Sequence, residues 1–141
     1  MDVTFRPAVA DDLASLCALD TTVRTDPARA PQIEAWIAAR AAHIVSRDGS
    51  SAGYGALTHD FFHAGMIEMV MIAEPFRRRG LGVALVNHLA AFCRSGTLWS
   101  STNSSNIAMQ SLLDGARFIR SGLIEGLDEG DPEVIYRKQL R

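Results

Sequence analysis

Apolar positions along the chain alternate between strand-like and helix-like spacing, and each change of period predicts a new element. Residues 3–6 alternate as a strand does, and Pro7 ends the pattern. Asp11 and Asp12 then open a helix. Its apolar face carries Leu13, Leu16, Cys17 and Leu19. A second helix follows Pro31, with Ile33, Trp36, Ile37 and Arg40 at helical spacing.

The middle of the chain reads as three consecutive strands. Residues 43–46 favour a strand, and Asp48-Gly49 is a strong hairpin turn signal, so residues 51–58 should pair back antiparallel. Residues 59–63 are predicted as a loop that contains Phe61 and Phe62. Residues 66–72 are almost continuously apolar, which is typical of a central strand buried on both faces. Glu68 is the exception.

Helices alternate with strands in the second half. One helical face is marked by Leu81, Ala84, Leu85, His88, Leu89 and Phe92, with Arg94 in the last turn and Gly96 just beyond. Residues 97–100 favour a strand. Ser104 or Ser105 is predicted to cap a helix over 107–113, which Gly115 stops. Residues 118–124 and 134–140 are the last two predicted strands. The order βααβββαβαββ indicates a mixed sheet flanked by helices, of α/β (α+β) type.

Size and composition narrow the function classes. The 141 residues predict one domain over 1–141, and 48% hydrophobic with 21% charged residues is ordinary for a soluble globular protein. No membrane span or secretory signal is apparent, so we expect a cytoplasmic protein without a membrane partner. Cys17 and Cys93 are isolated and are expected to be buried thiols, not metal ligands. The net charge of -2 disfavours a nucleic-acid partner, so any anion site is local.

The segment Arg77-Arg78-Arg79-Gly80-Leu81-Gly82 joins a predicted strand to a predicted helix. Such a helix start offers unpaired backbone N–H groups, the positive end of the helix dipole, and arginines for charge-assisted hydrogen bonds. A pyrophosphate is the natural ligand. A Rossmann fingerprint is weak, because Leu85 stands where its third glycine would be. The Walker pattern fails, because Lys138 is the chain's single lysine.

Residues 72–85, "IAEPFRRRGLGVAL", resemble motif A of the GNAT superfamily of N-acetyltransferases. Residues 5–20, "FRPAVADDLASLCALD", resemble that family's first strand and helix. Residues 100–118, "SSTNSSNIAMQSLLDGARF", resemble its later Asn-helix-Gly-Phe segment. The resemblance implies a mixed, mostly antiparallel central sheet of six to seven strands with about four helices. It also implies acetyl-CoA as the co-substrate.

The resemblance assigns residues to the coenzyme. The strand before motif A splays from its neighbour in this family, and Val70 and Ile72 would pair with the pantetheine arm as an added strand would. Asn106 stands where the family places a coenzyme-contacting asparagine. The pyrophosphate would be held by the amides of about residues 78–83, with Arg77 in the Arg/Gln position of the motif. The implied set is Arg77, Arg78, Arg79, Gly80, Leu81, Gly82 and Val83.

Acyl transfer from a thioester to an amine needs a proton acceptor, because amines with a pKa of ~10.4 are protonated at neutral pH. Glu68 is the leading candidate. Its apolar neighbours would raise the pKa of its carboxyl towards the range in which a general base works. The competing interpretation is a strand carboxylate satisfied by arginine or backbone. His59 and His63 are weaker candidates. The oxyanion donor would be a strand amide near Val70.

Many members of the family carry a tyrosine that protonates the departing thiolate, five residues before the Phe of a Gly-Phe pair. Leu113 occupies that position here, and Arg117 replaces the glycine. A thiolate of pKa ~8.5 can leave unassisted or take a proton from water. Tyr54 and Tyr136 cannot be assigned the role by spacing.

Residues 125–133, "EGLDEGDPE", hold five carboxylates between the last two predicted strands. They would attract a cationic amine or form a solvated turn, and they lack the spacing of a calcium loop. Phe61 and Phe62 are expected either to line the acceptor groove or to close the hairpin over the core. The first hypothesis is an acetyl-CoA-dependent N-acetyltransferase that acts on a primary amine of a small molecule or peptide by direct transfer. The alternatives are an acyl-CoA sensor with little catalysis and, less favoured, a phosphate-binding nucleic-acid module. Edge strands could support a homodimer.

Overall fold

The computed structural model describes residues 2–141, and seven of its strands form one sheet. The strands are β1 (Val3–Pro7), β2 (Ala42–Arg47), β3 (Ser50–Phe61), β4 (Ala64–Ile72), β5 (Thr97–Asn103), β6 (Ile119–Ile124) and β7 (Glu133–Gln139). The α-helices are α1 (Leu13–Leu19), α2 (Arg29–Ala38), α3 (Leu81–Ala90) and α4 (Ile107–Gly115). Short 3-10 turns cover Ala10–Asp12, Thr21–Arg24 and Glu74–Phe76. The predicted element order and mixed sheet are confirmed.

The sheet has the order β1-β2-β3-β4-β5-β7-β6. Every neighbouring pair is antiparallel except β4 and β5, which are parallel. The β2–β3 hairpin turns at Asp48 and Gly49, as predicted, and both residues have positive φ (49° and 84°). That geometry matches the right-handed twist of the flanking strands.

Each face of the sheet carries two helices. On one face, α3 and α4 pack over β3, β4 and β5, and Leu85, Leu89 and Leu113 are fully buried there with Ile67 and Leu98. On the other face, α1 and α2 pack over β2 and β3 around a second buried cluster. We call these the α3/α4 face and the α1/α2 face. Full burial of each such leucine stabilises the fold by about 1.5–3 kcal/mol.

The connection between α1 and α2 is tied to the sheet through a buried carboxylate. Asp20 has no exposed surface, and it accepts hydrogen bonds from Tyr54 Oη at 2.5 Å and from Arg29 Nη1 at 2.8 Å. Burial, reinforced by this bond to Asp20, raises the pKa of the Tyr54 phenol. The Tyr54 hydroxyl therefore fixes the α1–α2 connection to the sheet through Asp20.

Several predicted boundaries shift. The α2 helix begins at Arg29, so Pro31 lies inside its first turn, where a missing N–H costs no intrahelical bond. The segment predicted as a loop over 59–63 is mostly strand, because β3 continues to Phe61 and the chain turns at Phe62 and His63. Asn106, not Ser104 or Ser105, caps α4.

Burial also differs from expectation at two places. Cys93 is buried, but Cys17 is only half-buried, and both thiols are free. The β4 strand was predicted to be buried on both faces, yet Glu68 is exposed and residues 69–72 are only half-buried. The cause is local: β4 has a neighbour on one side only beyond Ile67. Within residues 2–141, no helix has the length and apolar character that crossing a membrane requires.

Candidate active site

The central feature of the site is an opening between the parallel strands β4 and β5. These strands pair at Gly65 with Leu98, Met66 with Trp99, and Ile67 with Ser100, and the pairing then stops. At this last pair, Ser100 Oγ donates a hydrogen bond to the carbonyl of Ile67 at 3.0 Å. Beyond it, β4 stays with β3 and β5 follows β7, so a wedge opens toward the carboxyl ends of both strands.

Backbone groups of β4 line one side of this wedge. The N–H of Ala73 donates to the carbonyl of Ala52 in β3 at 2.8 Å. Along a strand, the backbone groups of successive residues point to opposite sides. Val70 and Ile72 therefore point their backbone groups away from β3 and into the wedge. One of these groups already has a partner, because Arg77 Nε donates to the carbonyl of Ile72 at 2.8 Å. The sequence-predicted pair Val70 and Ile72 is thus on the open edge.

The amino end of α3 lies just beyond the end of β4. Its first intrahelical bond runs from the N–H of Ala84 to the carbonyl of Gly80 at 3.1 Å, so Leu81, Gly82 and Val83 have no preceding helical carbonyl to bind. Gly80 is the N-cap at φ 78°, without a side-chain cap. These amides share the positive end of the helix dipole with the exposed side chains of residues 77–79.

Gly80 and Gly82, the two glycines of the motif, are required for different structural reasons. A Cβ on Gly80 would meet nothing within 4 Å, but its φ of 78° is one that other residues seldom adopt. A Cβ on Gly82 would lie 2.4 Å from Leu112 Cδ1, so Gly82 is needed for the close approach of α3 to α4. From the sequence, both glycines were assigned to pyrophosphate binding, and the packing role of Gly82 was not predicted.

Asn106 also has a structural task. Its side-chain Oδ1 accepts a hydrogen bond from the N–H of Met109 at 3.0 Å and caps α4. The residue is exposed on the loop that follows β5, at the open end of the wedge. The predicted coenzyme residues Val70, Ile72, Arg77–Val83 and Asn106 therefore lie on the three segments that surround the carboxyl ends of β4 and β5.

Glu68 lies where the wedge begins. The pairing of β3 with β4 shifts by one residue between Ala56–Met69 and Leu57–Ile67, which makes Glu68 the extra residue of a β-bulge. Its side chain is exposed on the α1/α2 face, and its Oε2 accepts from Thr58 Oγ1 at 2.5 Å. The expectation of apolar surroundings is wrong, because the bulge turns the carboxylate outward.

The two histidines named as alternative bases lie elsewhere. His59 Nε2 accepts a hydrogen bond from the N–H of Arg94 at 3.0 Å, beyond the end of α3 and away from the wedge. Burial, aided by the nearby Arg94, lowers the pKa of His59. His63 is exposed in the β3–β4 turn at φ 66°. Glu68 is thus the one of the three that adjoins the wedge.

No tyrosine takes the place of Leu113. That leucine is fully buried in the core beneath α4, and Tyr54 is bound to Asp20 on the α1/α2 face. Tyr136 is fully buried on β7, and its hydroxyl has no hydrogen-bond partner among residues 2–141. Arg117 adopts a φ of 70° at the end of α4, the conformation for which a glycine is better suited.

The acidic loop over 125–133 is partly structural. Asp131 accepts from Ser105 Oγ at 2.6 Å and from Ser105 N–H at 2.9 Å, and these bonds lower the pKa of its carboxyl. Asp128 accepts from Asn103 Nδ2 at 2.8 Å. At least two of the five carboxylates therefore hold the β6–β7 connection to the end of β5.

A family model described as "Acetyltransferase (GNAT) family" matches residues 11–114, a span that contains both strands of the wedge and the start of α3. The chain belongs to the GNAT acetyltransferase family. Acetyl-CoA is the acetyl donor of GNAT enzymes, in agreement with the coenzyme predicted from the sequence.

Solved structures agree with this membership. A GNAT acetyltransferase from Bacillus cereus is 31% identical, with a TM-score of 0.91, and the match covers 100% of this chain and 99% of that one. A candidate acetyltransferase from Salmonella typhimurium, solved with acetyl-CoA, is 20% identical with a TM-score of 0.79, covering 100% and 95%. A ribosomal-protein-alanine N-acetyltransferase from Brucella melitensis is 21% identical with a TM-score of 0.77, covering 97% and 99%. Among curated proteins, no significant relative was found.

An apolar groove of about 560 Å³ lies on the α1/α2 face, and its lining includes Phe61 and Phe62, for which the sequence left open a role in a groove or in closing the hairpin. It is lined by Phe61, Phe62, Ala64, Trp99, Ser121, Gly122, Leu123, Ile124 and Ile135. The alternation of β5 and of β7 was visible in the sequence. The register that pairs Ser101 with Ile135 and brings both strands beside the β3–β4 turn was not.

Proposed function

We propose that this protein is an acetyl-CoA-dependent N-acetyltransferase, a single GNAT domain over 1–141, that transfers acetyl directly to a primary amine of a small molecule or peptide. The observation that carries the proposal is the wedge between β4 and β5, which ends beside the unpaired amides of α3. One side of a coenzyme can pair with β4 while its pyrophosphate lies on the helix start.

Coenzyme binding follows from the backbone. The pantetheine arm would form strand-like hydrogen bonds with Val70 and with the N–H of Ile72, since the Ile72 carbonyl is already bound by Arg77. The pyrophosphate would accept from the amides of residues 78–83, with the three arginines adding charge-assisted bonds. Asn106 lies across the wedge, where its amide can contact the same ligand.

The transfer step places the amine on the α1/α2 face. The coenzyme enters beside α3 and α4, so the opposite face is left for the acceptor, and Glu68 is exposed on that face. In this mechanism the amine nitrogen bonds to the acetyl carbon, the carbon–sulfur bond breaks, and Glu68 takes the amine proton directly or through water. A strand amide near Val70 stabilises the oxyanion.

Departure of the thiolate needs no side-chain acid in this proposal. A coenzyme thiol of pKa ~8.5 is a tolerable leaving group that water can protonate. Leu113, which stands where the GNAT resemblance implies a tyrosine, is fully buried and cannot donate a proton, so the proposal assigns none to a side chain there. The same leucine favours the second candidate function, an acyl-CoA-binding sensor with little or no catalysis.

Two measurements separate these functions. Calorimetry with acetyl-CoA tests coenzyme binding, and release of free thiol across a panel of amines tests transfer. We expect binding with thiol release for at least one amine. Binding without thiol release from any amine would favour the sensor. If calorimetry detects no binding of acetyl-CoA, both candidate functions are wrong.

A further inference from the structure

The apolar groove beside the wedge has walls from separate parts of the sheet. Phe61, at the end of β3, and Phe62, in the β3–β4 turn, form one side, with ring centroids 5.0 Å apart in an edge-to-face arrangement. Trp99 of β5 lies 5.4 Å from Phe61. Ile124 and Ile135, from β6 and β7, complete the far side. The α1 and α2 helices cover β2 and β3, so they leave this part of the face open.

We propose that the groove binds the body of the acceptor, and that the acceptor is a primary amine with an aromatic or branched aliphatic body, not a polyamine or an amino acid. This inference rests on the proposed transferase function and deepens it. A volume of about 560 Å³ is in the range of small-molecule sites.

The chemistry of the lining carries this choice of substrate. None of the nine lining residues is charged. The one side-chain hydroxyl, that of Ser121, already accepts from Arg137 Nε at 3.2 Å. A second ammonium or a carboxylate in the groove would lose water without gaining a charged partner. An aromatic body would stack on the rings and cover Phe62, which is 87% exposed.

The position of the groove links it to the reacting end. Trp99 pairs with Met66, and the next residues on the same face are Ser101 and, through the bulge, Glu68. Two residues of strand span about 6.6 Å. The backbone of Glu68 therefore lies about one strand repeat beyond the pairing of Met66 with Trp99, where the groove ends. Glu133 lies on this face as well, with its Oε2 bound by Ser101 Oγ at 2.6 Å. Two carboxylates at one end and an apolar lining at the other match an amine with an apolar body.

The test compares acceptors that share a primary amine but differ in the rest of the molecule. Thiol release is measured at saturating acetyl-CoA with ethylamine, phenethylamine and spermidine. We expect kcat/KM for phenethylamine to exceed that for the other two by at least about tenfold, the range for filling an apolar pocket. Equal or higher values for ethylamine or spermidine would overturn the assignment.

A matched pair of variants locates the effect. Phe62→Asn removes the exposed ring, and asparagine tolerates the φ of 53° at this position. We expect it to raise KM for phenethylamine about tenfold while KM for ethylamine and acetyl-CoA changes less than about twofold. Leu127→Ser, at an exposed leucine outside the groove, should change none of these values. An unchanged KM for phenethylamine in Phe62→Asn would contradict the groove.

A binding measurement separates this inference from the transferase proposal. Phenethylamine should quench the fluorescence of Trp99 in the absence of acetyl-CoA, and Trp99→Phe should abolish the change, leaving the signal of buried Trp36. Such quenching with no thiol release from any amine would contradict the proposed transfer and support the groove. Thiol release from polar amines alone, without quenching, would support transfer and overturn the groove.

Discussion

Thr58 Oγ1 donates a hydrogen bond to Glu68 Oε2 at 2.5 Å and joins two neighbouring strands beside the bulge in β4. The bond fixes one carboxylate oxygen and leaves the other available on the α1/α2 face. In the proposed mechanism, Glu68 needs both its own charge and the hydroxyl of Thr58.

Glu68→Gln should lower kcat by about 100-fold or more, the usual contribution of a general base, while calorimetry shows unchanged acetyl-CoA binding. The amide keeps the size of the side chain but cannot accept the amine proton. Turnover equal to that of the wild type would remove Glu68 as the base.

Thr58→Val tests the positioning of that carboxylate. It keeps the branched shape and removes the donor, so we expect a kcat reduced by roughly tenfold with no change in KM for acetyl-CoA. Thr58→Ser restores a hydroxyl and should recover most of the loss. Equal kcat values in the valine and serine variants would show that the hydrogen bond has no part in turnover.

Gly80 offers a cleaner test of the proposed pyrophosphate site than Gly82, because a side chain at Gly82 would clash with Leu112 and disturb the packing of α3 on α4. Gly80→Asp places a carboxylate at the open N-cap, where it repels an anion, so we expect acetyl-CoA binding weakened by more than about tenfold. Gly80→Asn is the matched neutral control, with the same size and tolerance of positive φ. Equal Kd values for the two variants would argue against an anion at this helix start.

The limits of sequence-based prediction here come from long-range pairing. The Asp48-Gly49 turn and the strand-glycine-helix motif are local patterns, and both are present as predicted. The outward direction of Glu68 depends on a one-residue bulge between β3 and β4, and periodicity alone cannot reveal an extra residue. Contact of Gly82 with Leu112 and of Phe61 with Trp99 depends on how distant elements approach each other. The sequence could therefore name Phe61 and Phe62 as candidates for a groove, but not the strands that complete its lining.

His43 and His88 predict how stability depends on pH. His43 Nδ1 and His88 Nε2 are 3.0 Å apart, and the ring of His88 stacks on Phe5. Burial lowers the pKa of both, and the neighbouring His88 lowers that of His43 further. Below a pH of ~6.5 the unfolded chain therefore binds protons that the folded chain does not, so stability is full above this pH and falls as pH decreases.

We expect Tm, measured by calorimetry, to fall by several degrees, on the order of 5 °C, between pH 7 and pH 5. His88→Gln keeps a hydrogen-bonding group near His43 and removes one titrating ring, so its Tm should depend less on pH over this range. The same slope in both proteins would place the pH dependence elsewhere. Carboxylates with a lowered pKa, such as Asp12 at about 2, act mainly below this window.

Arg117 carries a backbone cost that a glycine would relieve. It follows α4 at φ 70°, its N–H donates to the carbonyl of Asp114 at 3.0 Å, and the side chain is exposed. Left-handed backbone costs a non-glycine residue about 1–2 kcal/mol, and the greater freedom of glycine in the unfolded chain offsets part of the gain. Arg117→Gly should therefore raise the free energy of unfolding by about 0.5–1 kcal/mol in urea titration. Arg117→Ala removes the same side chain but keeps the Cβ, so it should give no such gain. Equal stability of the two variants would show that the left-handed backbone at this helix end is not strained.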